Sequence, residues 1–240
     1  MSSIEKTYSL QARYYPAVLT VIPALFLLNV TREYMLVLPE GLLIFLPYLI
    51  QVGLSGAAFC FQIQLNRLLS KEIFQKRVFN GELNRPTTVQ LLWSNDTIDN
   101  HMKLMLHNKI KSFFDISLFS KEAESNDTYS AKRIIIVAVS QIQNSLRDNT
   151  QQVQHNREYG FWRNLAGGSL IAAFCSLIII VLGIICNNCQ IIIVGITMLC
   201  VYGLIIGFSP YLIRKTGQYY AKSLFEQFLS LKEKVYRNDE

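Results

Sequence analysis

The chain has 240 residues, of which 51% are hydrophobic and only 17% are charged. Soluble domains carry about 25% charged residues, so this shortage of charge argues against a soluble protein. The apolar residues also fall in long blocks, which indicates an integral membrane protein. The formal net charge of +6 would suit a nucleic-acid partner only if the basic residues formed a binding surface, and their positions indicate another cause.

Four apolar runs are candidate membrane spans: residues 15–30, 41–65, 170–186 and 191–213. A transmembrane helix needs about 20 mostly apolar residues, so the second and fourth runs qualify directly, and the third does with Gly167 and Gly168 included. The first run is short and contains Pro16 and Pro23, but no small-x-small cleavage site follows Val30. We therefore expect a retained helix rather than a cleaved signal peptide.

Lys and Arg near the span ends predict the orientation, because basic loops stay on the cytoplasmic side. Residues 67–163 contain fourteen Lys and Arg and residues 214–240 contain six, whereas 31–40 contain only Arg32 and 187–190 contain none. Both termini and the central segment are therefore predicted to be cytoplasmic. This sorting also explains the basic charge, so direct nucleic-acid binding is not predicted.

The predicted fold class is an all-α integral membrane protein with four transmembrane helices in two hairpins. Long helices would extend from the membrane into a cytoplasmic helical segment. The N-terminal hairpin would occupy residues 1–65, the cytoplasmic helical region 66–166, the C-terminal hairpin 167–213 and a cytoplasmic tail 214–240.

The helix of the second span shows no stop signal at its inner end. Helical apolar spacing continues at Leu65, Leu68, Leu69 and Ile73, which predicts that the helix runs out of the membrane, and Asn80-Gly81 is typical of a helix C-terminus. A further helix is expected from a cap at Asp96 or Thr97 to about Phe114, and another from near Asp127. The polar residues before Asp127 predict a loop over 121–130.

No pattern of catalytic or metal-binding residues is found in the sequence. His101 and His107 are six residues apart, so they do not share a helix face as a metal-binding pair would, and His155 stands alone. GxSxG, HExxH, Walker and GxGxxG motifs are all missing. We therefore predict no enzymatic activity, no cofactor and no metal site. Cys186 and Cys189 form a lone CxxC that fits either unpaired thiols or a non-cytoplasmic disulfide.

Small residues are spaced for close helix packing in two of the predicted spans. Gly53, Gly56 and Ala57 lie on the second span, and Gly203 and Gly207 form a GxxxG on the fourth. Small residues let helix backbones approach closely in a membrane. Two interpretations stay open, namely packing within one chain and self-association of several chains around an axis.

A dense cluster of aromatic, basic and glycine residues precedes the third span. Aromatic rings and Arg fit the headgroup layer, and the glycines would allow a bend where the helix enters the membrane. We interpret the cluster as a membrane-interface hinge, either a plain anchor or an element that transmits a cytoplasmic signal. Its residues are Tyr159, Gly160, Phe161, Trp162, Arg163, Gly167 and Gly168.

Three motifs carry a resemblance to a known group of proteins. They are ARYYPA at 12–17, RPTT at 85–88, and HN-x-x-YGF-x-RNL-x-GG at 155–168. The chain resembles small transmembrane effectors of bacterial anti-phage defence, especially those of retrons. The resemblance implies an inner-membrane protein that is restrained by a reverse transcriptase with its RNA-linked DNA. On infection the released effector would damage the membrane and stop growth, without catalytic residues.

We therefore predict a membrane-disrupting or pore-forming effector whose partners are the lipid bilayer, a cytoplasmic sensor complex and further copies of the chain. One alternative is a non-enzymatic membrane anchor or adaptor for a cytoplasmic complex. Another is a small regulated channel or transporter. The span interiors lack Asp, Glu, Lys, Arg and His, which counts against coupled transport.

Overall fold

The computed structural model describes residues 8–35, 53, 55–147 and 149–231. These residues form helices and no strand, which confirms the all-helical class. The chain divides into two compact units. Unit 1 takes the described residues of Met1–Val78 and Arg157–Ile213, and unit 2 takes those of Phe79–Asn156 and Arg214–Glu240.

The first half of the chain contains two long helical stretches. A π-helical turn at Leu10–Tyr14 leads into α1, Tyr15–Met35. Helix α2 covers Ser55–Leu69 and continues through a π-helical turn, Ser70–Gln75, into the short α3, Lys76–Phe79. The chain then turns at Asn80 and Gly81, both with positive φ, so the helix end predicted at this pair is confirmed.

Shorter helices follow before two long ones. A 3₁₀ turn at Glu82–Asn84 precedes the next helices, which are α4, Pro86–Val89; α5, Asn100–Phe114; α6, Lys121–Asn126; and α7, Thr128–Ser145. The 36-residue α8 covers Thr150–Ile185, and the 42-residue α9 covers Cys189–Ser230.

Three described stretches are long and apolar enough to cross a membrane: Leu10–Thr31, α8 and α9. They overlap the first, third and fourth predicted spans. Of the predicted second span, residues 41–52 and 54 lie outside the described residues.

Two local predictions need correction. The segment predicted as a loop over 121–130 contains α6, because the Ser120 side chain accepts a hydrogen bond from the backbone N–H of Ala123 and so caps a helix. Helix α5 is capped by Asp99, whose carboxylate accepts from the N–H of His101 at 2.8 Å, rather than by Asp96 or Thr97.

In unit 1, α8 and α9 approach each other closely at two glycines. A Cβ on Gly183 would lie 2.9 Å from the backbone nitrogen of Ile192, and a Cβ on Gly195 would lie 3.1 Å from that of Ile180. Neither helix could keep this spacing with a larger residue there, because a Cβ would meet the backbone of the other helix. The two glycines therefore set the distance between the helices.

Unit 2 has a conventional apolar core built from α5, α7 and the end of α9. Its fully buried side chains include Leu106, Ile110, Ile142, Leu224, Phe225 and Phe228. The segment after α4 is held against this core by polar side chains. Glu124 accepts from the backbone N–H groups of Trp93 and Ser94 at 2.9 and 3.0 Å, and the buried Lys103 donates to the carbonyls of Trp93 and Asn95.

His107 is the second buried ionisable group of α5, and its burial predicts that acid weakens unit 2. Its ring Nε2 lies 3.2 Å from the carbonyl oxygen of Leu91, to which the neutral ring donates. Burial lowers the pKa of His107 below its ordinary value of 6.5, because the charged ring would lose water.

Acid should therefore destabilise the folded chain through His107. The unfolded state binds this proton first as the pH falls through about 6.5, so the free energy of unfolding decreases below that pH. Thermal unfolding of the full chain in detergent at pH 7 and pH 5 measures the effect. His107→Gln should reduce the loss of stability between the two pH values, and the control His101→Gln, at an exposed position, should leave it unchanged. An equal loss in all three proteins would contradict this assignment.

Candidate functional site: a buried polar junction

The inward face of α2 is polar, and its outward face is apolar. Gln62 and Asn66 are 3% and 0% exposed, and Ser70, at the next four-residue step, is also buried. Phe61 and Leu68, by contrast, are 64% and 56% exposed. This arrangement is the reverse of a water-soluble amphipathic helix and is expected where the surroundings are hydrocarbon.

Thr20 of α1 is the centre of the contacts with α2. Its hydroxyl oxygen accepts from Gln62 Nε2 at 3.1 Å and from Asn66 Nδ2 at 3.0 Å, and it donates to the carbonyl of Pro16 at 2.8 Å. Gln62 Nε2 also donates to Asn66 Oδ1 at 3.0 Å. The three side chains therefore hold one another in fixed orientations.

Asn164 of α8 connects this group to two further parts of unit 1. Its Oδ1 accepts from the Ser70 hydroxyl at 3.2 Å, and its Nδ2 donates to the carbonyl of Ala12 at 2.6 Å. The side chain is 2% exposed. We call Thr20, Gln62, Asn66, Ser70 and Asn164 the polar junction, which joins α8 to both earlier helical stretches.

Glycines on α8 make room for the polar junction. A Cβ on Gly167 would meet the Asn66 carbonyl oxygen and would lie 2.7 Å from the backbone nitrogen of Ser70. A Cβ on Gly168 would lie 2.5 Å from Asn66 Oδ1. Gly160 faces Ala12, whose Cβ would be 3.1 Å away. The three glycines therefore allow the backbone and side chains of neighbouring helices to approach α8.

These three glycines belong to the predicted membrane-interface hinge, and α8 is continuous through all of them. Of the other hinge residues, Arg163 donates to Gln75 Oε1 at 3.3 Å, and its guanidinium lies over the Tyr159 ring. Phe161 and Trp162 contact each other edge to face at 5.3 Å between centroids. The cluster thus packs α8 against its neighbours, and its function as a hinge stays a prediction.

The small residues predicted to pack helices have a different environment. Within the described part of the chain, no atom lies within 4 Å of a Cβ built on Gly53, Gly56, Gly203 or Gly207, and Ala57 is also exposed. Their packing role stays a prediction, and the close approaches observed in unit 1 use other glycines.

The polar junction was missed in the sequence although a signal was present. Gln62, Asn66 and Ser70 recur at intervals of four, which places them on one helix face. The apolar residues between them predicted only that the helix continues, and no inward face was predicted for it. In an apolar solvent the polar face of a helix is expected to point inward.

The chemistry available at the polar junction is hydrogen bonding by neutral groups. Amides and hydroxyls can both donate and accept, so they can exchange partners with water without changing charge. Among the residues that the structure describes, no group of His, Cys, Asp and Glu is arranged to hold a metal ion. Comparison of the chain with family models, curated proteins and solved structures finds no match in any of the three.

The two glycine environments predict opposite results for the same substitution. Gly167→Ala places a methyl group against the α2 backbone and should lower the free energy of unfolding by about 1–3 kcal/mol. Gly203→Ala meets open space and should be neutral or stabilising by up to about 1 kcal/mol, because alanine favours helix. Thermal unfolding in detergent measures both, and equal effects would argue against the close contact at Gly167.

Proposed function

We propose that the chain is a membrane-disrupting or pore-forming effector of a bacterial anti-phage, abortive-infection system. It would lie in the inner membrane with four spans in two hairpins and with both termini and the central segment in the cytoplasm. A cytoplasmic sensor complex, such as a retron reverse transcriptase with its RNA-linked DNA, would hold it inactive.

The observation that carries this proposal is the polar junction inside an otherwise apolar set of helices. Burying polar groups in a membrane is unfavourable unless they hydrogen-bond to one another across helices, as the side chains of the polar junction do. The five side chains are neutral, and each could hydrogen-bond to water if the helices separated. The junction lies at the predicted cytoplasmic ends of these helices, so its separation would open a wet entrance into the apolar layer.

The resemblance to defence effectors involves residues of the same site. The motif at 155–168 supplies Asn164, and its glycines Gly160, Gly167 and Gly168 provide the close approaches around the junction. These residues of the motif therefore also make defined contacts with the neighbouring helices. This agreement supports the effector proposal over a general membrane anchor.

Self-association is part of the proposal because α9 leaves an apolar surface exposed. The apolar stretch of α9 is the least buried of the three candidate spans, and Gly203 and Gly207 lie exposed on it. Further copies of the chain would pack at this glycine face and surround a water-filled path.

The alternative of a membrane anchor or adaptor is favoured by one observation. The donors and acceptors named in the polar junction have partners within unit 1, as a permanent structural tie would require. An adaptor would bind its cytoplasmic complex without changing the membrane potential, and a small regulated channel would change it only with a stimulus.

Induced expression of the chain in bacteria, followed with a potential-sensitive dye, tests the proposal. We expect rapid depolarisation that is lost when residues 170–213 are deleted. Co-expression of the sensor complex should delay depolarisation until phage infection. A chain that reaches the membrane fraction but never depolarises cells, alone or with a triggered sensor, would contradict the proposal and favour the adaptor.

Bulky residues at the glycine face test the self-association step. Gly203→Leu with Gly207→Leu should reduce the rate of depolarisation about tenfold or more, because the added side chains separate the backbones of neighbouring copies. Val201→Phe adds as many carbon atoms as one such change at another exposed position on α9 and is the matched control. Equal losses in both variants would show that added bulk, rather than the glycine face, is responsible.

A further inference from the structure

A proline leaves one carbonyl group of the first helical stretch without its helical donor. A residue in an α-helix donates its N–H to the carbonyl four positions earlier, and proline has no N–H. Pro23 therefore cannot donate to the carbonyl of Leu19, and a second carbonyl, that of Ala12, lies in the π-helical turn before α1.

Both carbonyls receive a hydrogen bond from a later helix. The Tyr202 hydroxyl of α9 donates to Leu19 O at 2.6 Å, and Asn164 Nδ2 of α8 donates to Ala12 O at 2.6 Å. Tyr202 and Asn164 are 7% and 2% exposed. We call these two contacts the proline clasp.

The clasp matters because apolar contact alone attaches the first stretch weakly in a membrane. Lipid tails are as apolar as the side chains they replace, so apolar burial gives little net driving force between membrane helices. Several of its side chains point outward, including Tyr15, Val18 and Ile22 at 45–50% exposure. Directional hydrogen bonds are therefore a large share of what holds Leu10–Thr31 in place.

We infer that Leu10–Thr31 is a releasable gate that the proline clasp holds closed over the polar junction. The inference rests on the proposed function, since the opened junction is the water path described above. Release of the segment removes Thr20 from Gln62 and Asn66, and Ala12 from Asn164. Water then takes the vacated positions on the amides and on the two carbonyls.

Pro23 makes this gate switch between two states. In the closed state Tyr202 donates to the Leu19 carbonyl and Asn164 to the Ala12 carbonyl, and in the open state water does so. Between the two, the Leu19 carbonyl would be unpaired in an apolar setting, which is unfavourable. A helix without Pro23 would satisfy the Leu19 carbonyl itself and would be less dependent on α9.

A double-mutant cycle of Tyr202→Phe and Pro23→Ala tests the clasp in the full chain. Tyr202→Phe removes only the hydroxyl, whereas Pro23→Ala returns an N–H donor to Leu19 O. A cysteine at Ala17, which is fully buried, reports opening through its labelling rate with a water-soluble maleimide after the native cysteines are replaced. The membrane-potential dye reports the leak independently.

We expect Tyr202→Phe to raise the labelling rate and the leak about fivefold to tenfold, as loss of one hydrogen bond would. In the Pro23→Ala background the same change should alter both less than about twofold, because the donor is no longer needed. This coupling separates the clasp from general destabilisation, which would act equally in both backgrounds.

Other outcomes would contradict either the proline clasp or the proposed membrane-leak function. Equal effects of Tyr202→Phe in both backgrounds, or unchanged labelling, would overturn the clasp while leaving the leak function standing. Coupled changes in labelling with no leak in any variant would support the clasp and overturn the membrane-leak function.

Discussion

The organisation of unit 1 depends on one constraint: a polar group away from water must find its partner inside the protein. Thr20, Asn66 and Asn164 meet it by pairing across helices that are apolar on their outer faces. The core cluster of unit 2 is apolar, with Leu106 and Phe225 at its centre. Unit 1 thus places hydrogen-bonded polar side chains beside buried apolar ones such as Val30 and Ile179.

Close approach follows from the same constraint, because short hydrogen bonds across helices require short distances between backbones. Gly167 and Gly168 lie where α8 meets the polar junction, and Gly183 lies where α8 meets α9. Gly203 and Gly207 have the spacing most often associated with packing, yet a Cβ built on either would meet no side chain or neighbouring helix among the described residues. The spacing of glycines therefore indicates that a helix could pack closely there. Close packing occurs only where a neighbouring helix lies against those glycines.

Sequence reasoning predicted the helical class, three of the apolar stretches and the helix end at Asn80-Gly81, because these depend on local periodicity and backbone preference. It missed α6, since a run of polar residues was taken as a loop and the cap at Ser120 was not considered. It also missed the polar junction. Which face of α2 points inward depends on the solvent and on partners such as Asn164, almost a hundred residues away.

The pairing of Pro23 with Tyr202 also restricts the order in which the two positions can change during evolution. A chain that first loses Pro23 regains a helical donor for Leu19, after which Tyr202 is free to vary. A chain that first loses the Tyr202 hydroxyl passes through an intermediate with an unpaired carbonyl. The two routes lead to the same pair of residues, but only the route that loses Pro23 first avoids an intermediate with an unpaired carbonyl.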